Sequence, residues 1–181
     1  MPASAQNFSN GYAFIKAVKD RDGDKVTSFL ATPGTTVTSA KEQPTGNGAL
    51  HIVTLDRDAT WLNFLASKGV KVDQRNSEGF TPLAMAAQLG WLEGAELLAR
   101  RGANLNIQNN RGETPLILAV QKRDVPMVRL LLARGANVKI TDNVAGYSAL
   151  DYAKQDGRAA PILKLLEAPT KPDKPMQGPK L

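Results

Sequence analysis

Cysteine is missing from this 181-residue chain, and histidine occurs once, as His51. Without cysteine there is no disulfide, no thiolate metal site and no cysteine nucleophile. One histidine cannot build a structural zinc site either, since such sites normally take four Cys or His ligands. Aromatic residues make up only 6% of the chain, and alanine and leucine dominate a hydrophobic fraction of 42%, which suits thin, closely stacked layers of helix. No apolar run approaches the roughly 20 residues that a membrane-spanning helix needs. Phosphate-binding glycine patterns are absent, and the acidic residues Glu78, Glu93, Glu96 and Glu113 fall one or two to a segment at surface positions, without a recurring pair. No catalytic group, cofactor site or metal cage is therefore expected.

What the chain does have is repetition. Thr81-Pro82-Leu83-Ala84-Met85-Ala86 returns 33 residues later as Thr114-Pro115-Leu116-Ile117-Leu118-Ala119. A weaker copy, Ala49-Leu50-His51-Ile52-Val53, lies 33 residues before it, and Ser148-Ala149-Leu150-Asp151-Tyr152-Ala153 is a fourth. A second marker keeps step with the first: Leu30-Ala31-Thr32-Pro33-Gly34, Leu65-Ala66-Ser67-Lys68-Gly69, Leu98-Ala99-Arg100-Arg101-Gly102 and Leu131-Leu132-Ala133-Arg134-Gly135. Two markers holding one period define an internal repeat. The proline of Thr-Pro fits the first turn of a helix, where its missing N–H would have had no intrahelical partner. Pro126 is expected in the first turn of a later helix for the same reason. The glycine that ends each second marker fits a helix stop.

On these residues the sequence resembles the ankyrin-repeat family from about Gly11 to Ala168. The resemblance implies an all-α solenoid of about five stacked helix-turn-helix units, near 11–42, 43–75, 76–108, 109–141 and 142–168, joined by short β-hairpin-like fingers. The first unit lacks the Thr-Pro-Leu motif and reads as an N-terminal cap, with its first helix from Tyr12 to Val18. The connector before Leu50 is two residues longer than the one before Leu83, so the second unit is expected to be least regular at its start. One extra residue precedes Leu150 in the fifth, whose last helix is expected from Ile162 to Glu167. Residues 1–10 carry no periodicity and are expected to be a flexible start. Residues 169–181, rich in proline and lysine, are expected to be an extended tail.

Thr81, Thr114 and His51 read as structural, bonding turn to helix, and Trp61 as packing. Trp91, directly after Gly90 between two helices, carries two readings: a partly exposed binding anchor, or a ring folded onto the neighbouring loop. The resemblance implies binding through finger turns and the exposed side of the inner helices, lining a concave groove. Transferred to the regular units, this gives Ser77, Glu78, Phe80, Gln88 and Leu89, then Asn110, Arg111, Glu113, Gln121 and Lys122. Tyr147 falls where Phe80 and Glu113 fall. Phe80 and Leu89 are expected to be exposed and to form the apolar centre of a hot spot.

The functional expectation is a non-enzymatic, monomeric module that binds a protein partner and no small-molecule substrate. The alternative is a basic surface for nucleic acid or another anionic partner, using Arg100, Arg101, Arg111, Lys122, Arg123 and Arg134. Of the net charge of +6, about +4 is spread over the repeats, and no recognition motif accompanies it. Ala3-Ser4-Ala5 before Gln6 has the small-x-small form that ends a secretory signal peptide. The expectation is an exported bacterial protein, periplasmic or secreted, with a cytoplasmic one as the alternative.

Overall fold

A computed structural model describes residues 3–168 of the chain. Among the described residues, ten α-helices alternate as inner and outer members of five pairs. The inner helices are α1 (Ala3–Lys19), α3 (Ala49–Leu55), α5 (Pro82–Leu89), α7 (Pro115–Gln121) and α9 (Ala149–Gln155). The outer ones are α2 (Gly23–Ala31), α4 (Ala59–Ser67), α6 (Leu92–Arg100), α8 (Val125–Ala133) and α10 (Ala160–Glu167). Each inner helix packs on its own outer helix and on the next inner helix, so one continuous core runs through the stack. Among the described residues, strand pairing is limited to the isolated bridges Lys41–Gly48 and Thr141–Ser148 at the bases of two fingers.

Local chemistry sets the helix ends. Thr81 Oγ1 accepts the Ala84 amide at 3.2 Å and Thr114 Oγ1 that of Ile117 at 3.3 Å, each satisfying a donor with no intrahelical partner. Pro82 and Pro115 occupy the first turn that follows. Ser148 and Asp151 form a reciprocal capping box on α9. The outer helices α2, α4 and α8 are capped by Asp22, Asp58 and Asp124, each accepting an amide at 3.0 Å, and Pro126 sits in the first turn of α8 as expected.

The residue before each of these aspartates is an arginine in the left-handed region: Arg21, Arg57 and Arg123, with φ of 56°, 52° and 55°. Such a backbone is held only where the surroundings over-determine it. Here the side chain reaches across to the next unit. Arg21 bonds Asp56 and Asp58, Arg57 bonds the Leu89 carbonyl at 2.7 Å, and Arg123 bonds Asp156. The third unit has Gly90 at this position, so it lacks such a link to the fourth.

Several boundaries differ from expectation. Helix α1 begins at Ala3 rather than Tyr12, so most of the segment expected to be flexible is helical, and this inner helix is about twice the length of the others. The last helix begins at Ala160 rather than Ile162. The longer connector before Leu50 contains a 3-10 turn, Val37–Ser39. The tail foreseen at 169–181 lies outside the described residues.

Candidate functional site

The segments ahead of α3, α5, α7 and α9 form four fingers, and a single side chain stiffens each of the last three. Asn76 Oδ1 accepts the amides of Glu78 and Phe80 at 3.0 and 2.9 Å. Asn109 Oδ1 does the same for Arg111 and Glu113, both at 2.9 Å. Asp142 Oδ1 accepts three amides, from Val144, Ala145 and Gly146. Burial pushes the Asp142 carboxyl up, but the Tyr152 hydroxyl and these amides outweigh it and hold the group below its ordinary range. The fingers are also tied to one another, Ser77 N–H to Thr45 O and Asn110 N–H to Glu78 O at 3.0 Å, and Asn143 N–H to Arg111 O at 2.8 Å.

This scaffold places Ser77, Glu78, Asn110 and Arg111 in the open at the finger tips. Gln88, Gln121 and Lys122 are exposed at the C-terminal ends of α5 and α7. Tyr147 is 36% exposed and meets Tyr152 edge to face. Leu55, five residues after Leu50, and Gln155, five after Leu150, are exposed at the position of Gln88 and Gln121. The expected site omitted both, although the repeat register alone locates them.

Two expected surface residues, Phe80 and Glu113, are instead buried, and Trp91 takes the buried of its two readings. Phe80 is 7% exposed and stands in the core: it follows Gly79, where the next finger approaches so closely that a Cβ would meet the Asn110 backbone N at 2.7 Å. Glu113, 4% exposed, is spent internally, accepting from Asn109 Nδ2 at 2.8 Å and Gln121 Nε2 at 3.3 Å. Trp91 is 7% exposed and no anchor. It takes the N-cap position of α6 without a capping bond, and its ring lies over Gly94, where a Cβ would come within 2.0 Å of the indole. Leu89 is half-buried against the core rather than exposed. The apolar hot spot expected at Phe80 and Leu89 is therefore not on the surface, and the regular units present a polar face.

His51 is structural. Its Nδ1 accepts the Gly48 amide at 3.2 Å, which leaves the proton on Nε2 to donate to the Phe80 carbonyl at 2.8 Å. The ring thus bonds the second unit to the third. Burial, with help from Lys41 and against the Phe80 carbonyl, lowers its pKa to about 4. Between pH 6.5, its ordinary value, and about 4, the unfolded chain takes up a proton that the folded chain refuses. Stability is expected to fall by about 3 kcal/mol over that window from this group. The carboxyls of Asp58 and Asp142 are held below their ordinary 3.8, so their contributions are lost only at lower pH. Urea unfolding at pH 7 and pH 4 checks this: the His51→Gln variant should lose less between the two than the parent, and equal losses would refute it.

The cations named for the basic-surface alternative do not gather on one face. Arg100, Arg101 and Arg134 lie at the ends of outer helices, where Arg100 and Arg134 approach Glu96 at 2.5 and 3.8 Å and Arg101 bonds Asn63 at 2.6 Å. Arg123 is held by Asp156. At the N-terminal end, α1 and the first finger line a half-open cleft of about 840 Å³ that includes Ile15, Val37 and Ala40 together with Tyr12, Lys16 and Lys19. No cluster of three or more His, Asp or Glu that could hold a metal ion occurs among the described residues. No described helix is long and apolar enough to cross a membrane.

Residues 14–109 match a family described as ankyrin repeats (3 copies), and residues 97–153 match one described as ankyrin repeats (many copies). The chain is also 30% identical over 91 residues to protein phosphatase 1 regulatory subunit 27 of Homo sapiens, an alignment covering 50% of this chain and 58% of that protein.

Proposed function

Since the chain belongs to the ankyrin-repeat family, we propose that it is a non-catalytic module that binds a partner protein across its finger tips and inner-helix ends. The observation that carries this reading is the row of exposed residues with the repeat's own spacing: Leu55, Gln88, Gln121 and Gln155. Each is held by a helix in the stack, beside fingers locked by Asn76, Asn109 and Asp142. Binding to such a surface orders little of the protein, which favours affinity. The three amides that follow Leu55 in the row select a partner that can satisfy donors and acceptors rather than one that supplies only charge. The human relative carries the name of a regulatory subunit, a role of the same non-catalytic class. An exported setting is part of the proposal, carried by Ala3-Ser4-Ala5-Gln6 alone.

The test uses a partner recovered by affinity capture and two double variants. Gln88→Ala with Gln121→Ala is expected to weaken binding by ~2 kcal/mol or more, beyond whatever stability is lost because Glu113 gives up the Gln121 donor, with circular dichroism at the assay temperature confirming that the stack is folded. Arg100→Ala with Arg101→Ala, away from that row, is expected to bind as the parent does at both low and high salt. The opposite outcome, with a steep salt dependence removed by the arginine pair, would support the basic-surface reading.

A further inference from the structure

In the first three fingers, the residues around the turn are covered by the finger that follows. The acceptors Thr45 O, Glu78 O and Arg111 O, each just before the turn glycine, take an N–H from that next finger. A Cβ at Gly46, Gly79 or Gly112 would meet a backbone nitrogen of the next finger at 2.7, 2.7 or 2.5 Å. The residues after those glycines, Asn47, Phe80 and Glu113, are 4%, 7% and 4% exposed. The fourth finger repeats every one of these elements without a cover among the described residues. No described donor reaches Ala145 O, no described atom lies within 4 Å of a Cβ at Gly146, and among the described residues Tyr147 is 36% exposed, with Val144 at 68%.

The end of a stack is always uncovered, so the composition of this end is the informative part. On α9 the end face is adapted to water: Lys154 stands four residues after Leu150, where Thr54, Ala87 and Val120 are buried in their own units. The finger beside it keeps Val144, Ala145 and Tyr147, and it is held rigid by Asp142. Lys154 makes no ion pair among the described residues.

We propose that the fourth finger is a second docking point, for an extended segment of a partner protein with an apolar residue beside acidic ones. The segment continues the ladder between fingers: one of its backbone N–H groups donates to Ala145 O, its apolar side chain covers Tyr147 and Val144, and its carboxylate meets Lys154. It rests on the reading of the chain as a protein-binding module and assigns an occupant to the open end of that face, away from Gln88 and Gln121 on the regular units.

Panning a phage library of random nine-residue peptides against the full 181-residue chain tests this. The expected result is enriched peptides that pair an apolar residue with Asp or Glu. Their binding should fall by about 30-fold or more on Val144→Lys with Tyr147→Ser, while Gln88→Ala with Gln121→Ala leaves it unchanged. Lys154→Glu, an exposed substitution that leaves the finger intact, should by itself reject the acidic peptides. Circular dichroism melts of each variant confirm that the stack is folded. Enriched peptides that ignore the finger variants and are lost with the glutamine pair would overturn this inference while leaving the proposed function standing. Failure to enrich any peptide would also overturn it. So would finding that a second copy of the chain, seen by light scattering, or residues 169–181, seen by amide shifts on their removal, cover Tyr147.

Discussion

Leu83→Ala is expected to lower the unfolding free energy by about 2–5 kcal/mol, the range for emptying a leucine site in a packed core. Leu83 is wholly buried on α5, as Leu50 and Leu116 are at the same position of the neighbouring units. In a stack each unit gains most of its stability from the two beside it, so a cavity in the central unit weakens both interfaces. The third unit is vulnerable for a second reason: Gly90 stands where Arg21, Arg57 and Arg123 reach across to the next unit. Urea denaturation followed by circular dichroism should show a lowered midpoint. A midpoint equal to the parent's would mean that the register of the inner helices is wrong.

Phe80→Ala is expected to be at least as damaging, with a loss of about 3–5 kcal/mol. The ring is 7% exposed in the core, and its backbone carbonyl is the acceptor for His51, so collapse around the missing ring also disturbs the bond between the second and third units. Tyr147 follows its finger glycine just as Phe80 does, but has no finger over it. Tyr147→Ala is expected to cost about 1 kcal/mol or less, mostly the edge-to-face contact with Tyr152. Unfolding curves of the two variants side by side check this. Similar losses would show that the next finger does not cover Phe80.

The stack itself was legible because its cause is local and repeated. Thr-Pro marked the starts of α5 and α7, and leucines 33 residues apart with glycine after the outer helices marked the repeat of inner and outer helices. Helix α1 was the exception: residues 3–11 carry too little apolar periodicity to reveal that the helix starts at Ala3. The site was less legible because burial in the fingers is decided by the neighbouring unit. Nothing within residues 76–80 says that the next finger will press on Gly79 and turn Phe80 inward, or that Glu113 will be consumed by Asn109 and Gln121. Two signals were nevertheless present in the sequence. Gly94, three residues after Trp91, leaves room on one helix face for the indole. The Arg-Asp pairs at 21–22, 57–58 and 123–124 mark both an outer-helix cap and a link to the next unit.

The claim that a partner binds the face of fingers and inner helices is tested most directly by photo-crosslinking, since the method does not require the partner's identity. A benzophenone amino acid is placed singly at Gln88 or Gln121, and in controls at Glu93 or Arg129, which are exposed on the outer helices α6 and α8. Each protein is irradiated in an extract of its source. Discrete adducts of one and the same protein at Gln88 and Gln121, absent at Glu93 and Arg129, are the predicted result. Adducts confined to Glu93 and Arg129 would contradict the account.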